Sequence, residues 1–188
     1  GEKATPIPGK ENFASYNNIA TLNGAWTVSF DPKWGGPEKV VFNQLQDWTA
    51  RPEEGIKYYS GTAVYRQSFD LPGTDSGTKN RRLFLDLGEV NNIAQVKLNG
   101  KDLGVVWTAP WQVDITGIVQ PEGNQLVITV INLWPNRLIG DEQLPDDGIK
   151  NGQWPEWLLR EKRGQAGDLH LLLLSIIKKI HHCCLQVL

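Results

Sequence analysis

The chain has 188 residues, 40% of them apolar and 21% charged, which suits one packed domain with or without tails. Its 19 Lys and Arg against 21 Asp and Glu leave a net charge of −2 with no basic block, which argues against a nucleic-acid partner held by phosphate contacts. No run of about 18 uncharged apolar residues occurs, so neither a transmembrane helix nor a membrane partner is expected.

Residues 1–24 form a polar, proline-bearing leading segment that is expected to wrap the domain. Trp26, Val28 and Phe30 then alternate with Thr27 and Ser29, the pattern of a half-buried strand. A turn-rich stretch from Asp31 to Pro37 breaks it, and Val40-Val41-Phe42 follows as a short apolar run. Ala63, Tyr65 and Phe69 share one face of a strand over Thr62–Phe69, as do Leu83, Leu85 and Leu87 of the next. Asn99-Gly100 lies between Ala94–Leu98 and Lys101–Val105. Both central residues of a type I′ turn need positive φ, which Asn and Gly tolerate best, so a β-hairpin is predicted. Trp111, Val113 and Ile115 alternate again, and the apolar run Leu126–Ile131 reads as a strand covered on both faces. No helical period is sustained, the nearest approach being one or two turns over Trp157–Lys162. Eight or more short strands separated by turns predict an all-β, antiparallel sandwich of jelly-roll type over residues 25–168. Its expected core holds Trp26, Phe30, Leu85, Val96, Leu98, Val113, Ile128 and Val130.

After Asp168 the texture changes. Residues 169–188 contain no glycine or proline but both cysteines, Cys183 and Cys184. One reading is a final apolar strand with an extension. Another is a frameshift upstream of Lys178, because Lys178–Leu188 can be encoded so that the second frame reads Lys-Asp-Ser-Pro-Leu-Leu-Pro-Ser-Gly-Leu. In that case the chain is a truncated remnant of something longer, and its leucines Leu171–Leu174 replace an edge strand or drive self-association. His181, His182, Cys183 and Cys184 could form a metal cluster only by overcoming the alternation of side chains along extended backbone.

The usual catalytic patterns are missing: no Gly-x-Ser-x-Gly elbow, no phosphate-cradling Gly-x-x-x-x-Gly-Lys and no His-Glu-x-x-His. All three histidines, His170, His181 and His182, lie in the atypical tail, which disfavours a His-based nucleophile system. Carboxylates at Asp141, Glu142, Asp146 and Asp147 are the candidates for a glycosidase pair, against the plainer reading of a solvated acidic loop. Eight tryptophans are the conspicuous enrichment. Trp26 and Trp111 fall in phase with strand cores. Trp34, Trp48, Trp107, Trp134, Trp154 and Trp157 fall in loops or at strand ends, where an indole either stacks on a sugar face or packs against a neighbouring domain.

Three stretches, Tyr59–Arg66, Leu85–Val90 and Val96–Gly104, resemble the sugar-binding domain of family 2 glycoside hydrolases. With Asn132–Asp141 the chain is similar, more closely still, to the β-sandwich domain of α-L-rhamnosidase-like enzymes of Bacteroidetes. The resemblance covers roughly Leu22 to Leu144. It implies a galactose-binding domain-like jelly roll that is not itself catalytic, within a periplasmic or extracellular polysaccharide-degrading glycoside hydrolase. In that family the loop after the asparagine-ending strand, here Asn132 followed by Asp141, Glu142 and Gln143, can reach the neighbouring active site. This chain departs from the pattern in that Leu144-Pro145, not an aromatic, follows Gln143. No cofactor is expected, although such sandwiches sometimes hold a structural calcium. The expected ligand-facing residues are Trp107, Trp134, Asn136 and Arg137, binding carbohydrate weakly, with the parent enzyme's catalytic domain as the other partner.

Overall fold

The computed structural model describes residues 16–71 and 81–143, together with the backbone of 184–187. Ten strands form two antiparallel sheets. They are β1 (Asn17–Thr21), β2 (Trp26–Phe30), β3 (Val40–Phe42), β4 (Thr62–Phe69), β5 (Leu83–Asp86), β6 (Ile93–Leu98), β7 (Lys101–Val106), β8 (Gln112–Asp114), β9 (Asn124–Ile131) and β10 (Cys184–Val187). The larger sheet has the order β3-β2-β4-β9-β6-β7 and the smaller β1-β10-β5-β8. Every pairing is antiparallel. The predicted all-β sandwich is therefore the fold.

Alternation in the sequence becomes two facing layers. Trp26, Val28 and Phe30 of β2, Tyr65 of β4, Val96 of β6 and Ile128 of β9 are buried from one sheet, and Leu83 and Leu85 of β5 and Val113 of β8 from the other. All eight residues named as core from sequence are buried. Each such side chain contributes roughly 1.5–3 kcal/mol of burial free energy. At the β6–β7 turn Asn99 has φ 52° and Gly100 φ 79°, the pair of positive values that the Asn-Gly dipeptide predicts. The Asn99 side chain does more than turn the chain. Its Oδ1 accepts from the Gln125 N–H at 2.8 Å and its Nδ2 donates to Ile118 O and Asn124 Oδ1, both at 3.0 Å, tying the hairpin to the start of β9.

The structure departs from expectation in β9 and in a short helix, and it adds strands at both ends of the described chain. β9 is central in its sheet, yet only one face is fully buried: Leu126, Ile128 and Val130 point inward, whereas Val127 and Thr129 are half-buried and Ile131 is exposed. Its apolar run reflects flanking strands on both sides rather than a layer over both faces. Within residues 1–24, Asn17–Thr21 is a strand, and Cys184–Val187 of the tail lies between it and β5, with Leu185 opposite Leu85 and Val187 opposite Leu83. Both segments thus join the smaller sheet from outside the 25–168 span. Finally, residues Pro135–Asp141 form a short helix, α2, in addition to a single turn, α1 (Glu54–Lys57). Among the described residues no helix is long and apolar enough to cross a membrane.

One surface pair gives a pH signature. Arg82 and Asp114 form an ion pair at 2.6 Å. The Thr116 hydroxyl first, then Arg82 and the Thr116 backbone N–H, lower the Asp114 carboxyl to about 2. A depressed carboxylate contributes stability above its unfolded value of about 3.9, and that contribution is lost as pH falls toward 2. Because the pair is solvent-exposed, Asp114→Asn should cost under about 1 kcal/mol at pH 7, and its deficit should close by about pH 2 in chemical-denaturation series. An undiminished deficit at pH 2 would show that the carboxylate charge is not what stabilises this edge.

Candidate functional site

One end of the larger sheet gathers the loops that carry the expected site residues. The register runs Phe30–Ala63–Val130–Ala94–Val106 across β2, β4, β9, β6 and β7. Residues following β2, β9 and β7, and those preceding β4 and β6, therefore emerge together. Under this end lies an aromatic cluster. Phe30 packs edge-on to Tyr59 at 4.9 Å and to Trp48 at 5.3 Å between ring centroids, and Trp48 to Tyr59 at 5.7 Å. Trp48 belongs to this core and is buried, with its indole N–H bonded to the Tyr65 hydroxyl, so it is removed from the loop indoles that face outward. Burial raises the Tyr65 phenol far above its ordinary pKa, and that of Tyr59 to a lesser degree. The Tyr59 hydroxyl accepts from the Asp31 N–H at 3.1 Å and donates to Thr62 O at 3.0 Å.

Asn132, which directly follows β9, fastens the outer loop. Its Oδ1 accepts from the Gly61 N–H at 2.8 Å and its Nδ2 donates to Tyr59 O at 2.9 Å. The chain then turns into α2. Pro135 stands at its start, where a missing N–H costs nothing, and the backbone N–H of Arg137 donates to Ser60 Oγ at 3.0 Å. Gly140 lies so close to Tyr58 that an added Cβ would come within 2.6 Å of the Tyr58 Cβ. This close approach sets a helix whose Asn and Gly content gives it no strong intrinsic preference.

Between α2 and Tyr58 runs an open groove of about 260 Å³, lined by Glu54, Tyr58, Arg137, Gly140, Asp141 and Gln143. The Tyr58 hydroxyl donates to Gln143 Oε1 at 2.8 Å, and Arg137 Nε pairs with Asp141 Oδ1 at 2.7 Å, one helical turn apart. Of the four expected ligand-facing residues, only Arg137 is a groove wall. Asn136 lies in the first turn of α2, not in a loop, and is outside that wall. Trp134 directly precedes α2 and is 71% exposed. Trp107, 70% exposed, follows β7, two strands or about 10 Å of sheet away from β9. Trp34 is likewise exposed, as the last residue of the 3₁₀ turn Pro32–Trp34, whose Asp31 cap accepts from the Lys33 N–H at 2.9 Å. Tyr58 and Glu54 escaped the sequence reading, since no local pattern marks them, whereas Gln143 entered it only through the family-like loop and is a groove wall. Asp141 and Glu142 are consecutive on α2 and its cap, so they do not flank a cleft from two sides. Asp146, Asp147, Trp154, Trp157 and the three histidines lie outside the described residues, as do Cys183 and the side chain of Cys184. Among the described residues no three His, Cys, Asp or Glu side chains converge as a metal site would require.

Two antiparallel layers with the candidate-site loops gathered at one sheet end fit a galactose-binding-like β-sandwich. The chain belongs to the glycosyl hydrolase 2 galactose-binding domain-like family, whose model matches residues 45–167. It is 41% identical over 178 residues to a candidate beta-glucuronidase of Formosa agariphila, covering 85% of this chain and 15% of that protein. The solved rhamnosidase of Novosphingobium sp. PP1Y superposes with a TM-score of 0.71 at 32% identity, over 98% of this chain and 16% of that one. A beta-glucuronidase of an uncultured Clostridium shares the fold, with a TM-score of 0.57 at 18% identity over 100% of this chain and 31% of that one. The chain thus spans about one sixth of the length of the first two. It is a domain of the kind carried by family 2 glycoside hydrolases and their relatives.

Proposed function

We propose that the chain is a non-catalytic carbohydrate-contacting module of a larger glycoside hydrolase that works in the periplasm or outside the cell. The observation that carries this reading is the exposed Trp134 indole standing at the head of α2 beside a polar groove. An indole face stacks on the C–H face of a sugar ring while Arg137, Asp141, Gln143 and Tyr58 offer donors and acceptors to its hydroxyls. The site is shallow, so affinity for an isolated sugar belongs in the high micromolar to millimolar range. Asp141 and Glu142 stand side by side at the end of one short helix, with Asp141 held by Arg137, which does not suit these two as a glycosidase pair, whose carboxylates stand on opposite sides of the scissile bond roughly 5–10 Å apart.

A second reading has its own support. Ile93 and Ile131 are register partners with exposed side chains, and Val105, Trp107 and Leu133 extend this apolar area on the outer face and end of the larger sheet. Such an area suits contact with the parent enzyme's catalytic domain rather than with a hydrophilic glycan. The two readings separate by mutation. Trp134→Ala should weaken glycan binding about fivefold, roughly 1 kcal/mol, in NMR titrations, and Trp107→Ala should leave it within twofold. The purified chain should release no nitrophenol from nitrophenyl glycosides. Turnover that disappears on Asp141→Asn or Glu142→Gln would overturn the non-catalytic assignment.

A further inference from the structure

We infer that the groove beside α2 selects an uncharged pyranose over a uronic acid, an inference that rests on the carbohydrate reading above. Its lining carries two carboxylates, Glu54 and Asp141, against one guanidinium, Arg137. The charge of that guanidinium is already balanced by Asp141, which meets its Nε at 2.7 Å and leaves the outer Nη groups as donors. Counting the flanking Lys57, whose Nζ lies 5.1 Å from the Tyr58 ring centroid, together with the exposed Glu142 at the α2 cap, the balance stays at one excess negative charge. A uronate carboxylate entering here would bring a third anion toward Glu54 and Asp141, and such like-charge proximity is unfavourable even at the dielectric of a protein surface. A neutral sugar meets no such opposition. Its hydroxyls donate to the two carboxylates and Gln143 Oε1 and accept from the outer Nη groups of Arg137, and vicinal hydroxyls match an Arg–carboxylate pair in both roles. At about 260 Å³ the groove is below the ~300–1,000 Å³ of clefts for drug-sized ligands, so it accommodates a single ring. Gly140 and Tyr58 both line it, and their approach leaves no space for even a methyl group on Gly140.

The test uses the full chain and three matched pairs of methyl glycosides that differ only at C6: glucoside and glucuronide, galactoside and galacturonide, mannoside and mannuronide. Titrations at pH 7 and low salt follow the Trp134 indole N–H and the Gln143 side-chain amide. For the pair that binds, the neutral member should bind at least fivefold more tightly, and Glu54→Gln should narrow that ratio to within about twofold. Raising the salt to about 0.5 M should shrink it as well. Equal or tighter binding of a uronide removes the neutral-sugar assignment and leaves the carbohydrate reading standing. A neutral preference that Glu54→Gln does not alter also removes it, because the charge of the groove would not be its origin. If no saccharide of the six moves either resonance, the carbohydrate reading falls and this inference with it.

Discussion

Phe30→Ala should lower the unfolding free energy by about 3–5 kcal/mol, the range for deleting a buried aromatic ring from a core that cannot fully collapse. Phe30 is the shared member of the cluster under the loop-bearing sheet end, in contact with Tyr59, Trp48 and, at 6.5 Å, Phe42. Gly36 already packs against the stem of this side chain and the Tyr59 ring, since a Cβ there would lie 2.5 Å from the Phe30 Cβ and 2.7 Å from Tyr59 Cε2. A domain of this size should lose about 10 °C or more in Tm. Exposed Val41 is the control: Val41→Ala should change stability by less than about 0.5 kcal/mol. A loss below about 1 kcal/mol at Phe30 would mean that this cluster does not support the end of the sheet.

Asn132→Ala should cost about 2–4 kcal/mol. The side chain holds one donor and one acceptor of the backbone at Gly61 and Tyr59, and truncation leaves both groups unpaired in a partly buried loop. Functional damage should accompany the loss of stability, because the same loop presents Ser60 to the Arg137 N–H and Tyr58 to Gly140 and Gln143. Even where the variant is fully folded, by circular dichroism at low temperature, its glycan affinity should fall severalfold. A stable variant with unchanged binding would show that α2 is positioned without the Asn132 bracket.

These two residues also separate what could be read from the chain alone from what could not. Phe30 sits in a five-residue alternation with Trp26 and Val28, and a period of two names its buried face directly. Asn132 stood out only inside a family-like stretch. Nothing nearby in sequence signals that its partners would be Tyr59 and Gly61, some seventy positions earlier. Tryptophan placement shows the same division. Trp26 lay in strand phase and is buried, whereas Trp48 and Trp134 both looked like loop residues, yet Trp48 is enclosed by Phe30 and Tyr59 while Trp134 is open to solvent. Composition cannot distinguish them, because exposure of a loop side chain depends on which distant segment folds over it.

The acidic pair at the end of α2 makes the point for chemistry. Proximity in sequence put Asp141 and Glu142 forward as a reacting pair, and the helix instead engages Asp141 with Arg137 across one turn. A fold of this class hosts many activities, so the family alone does not assign one to the chain.

Local chemistry, then, determined the strands and the β6–β7 hairpin. Side-chain alternation and the tolerance of Asn and Gly for positive φ act over two to five residues and need no distant partner. Only the folded chain decided the groove. Its walls come from Tyr58 and Gln143, 85 positions apart, and from a helix that exists because Gly140 lets it approach Tyr58. Contacts of that range are set by how the two sheets pack and by which loops emerge at the same end, a property of topology that no short window of residues contains.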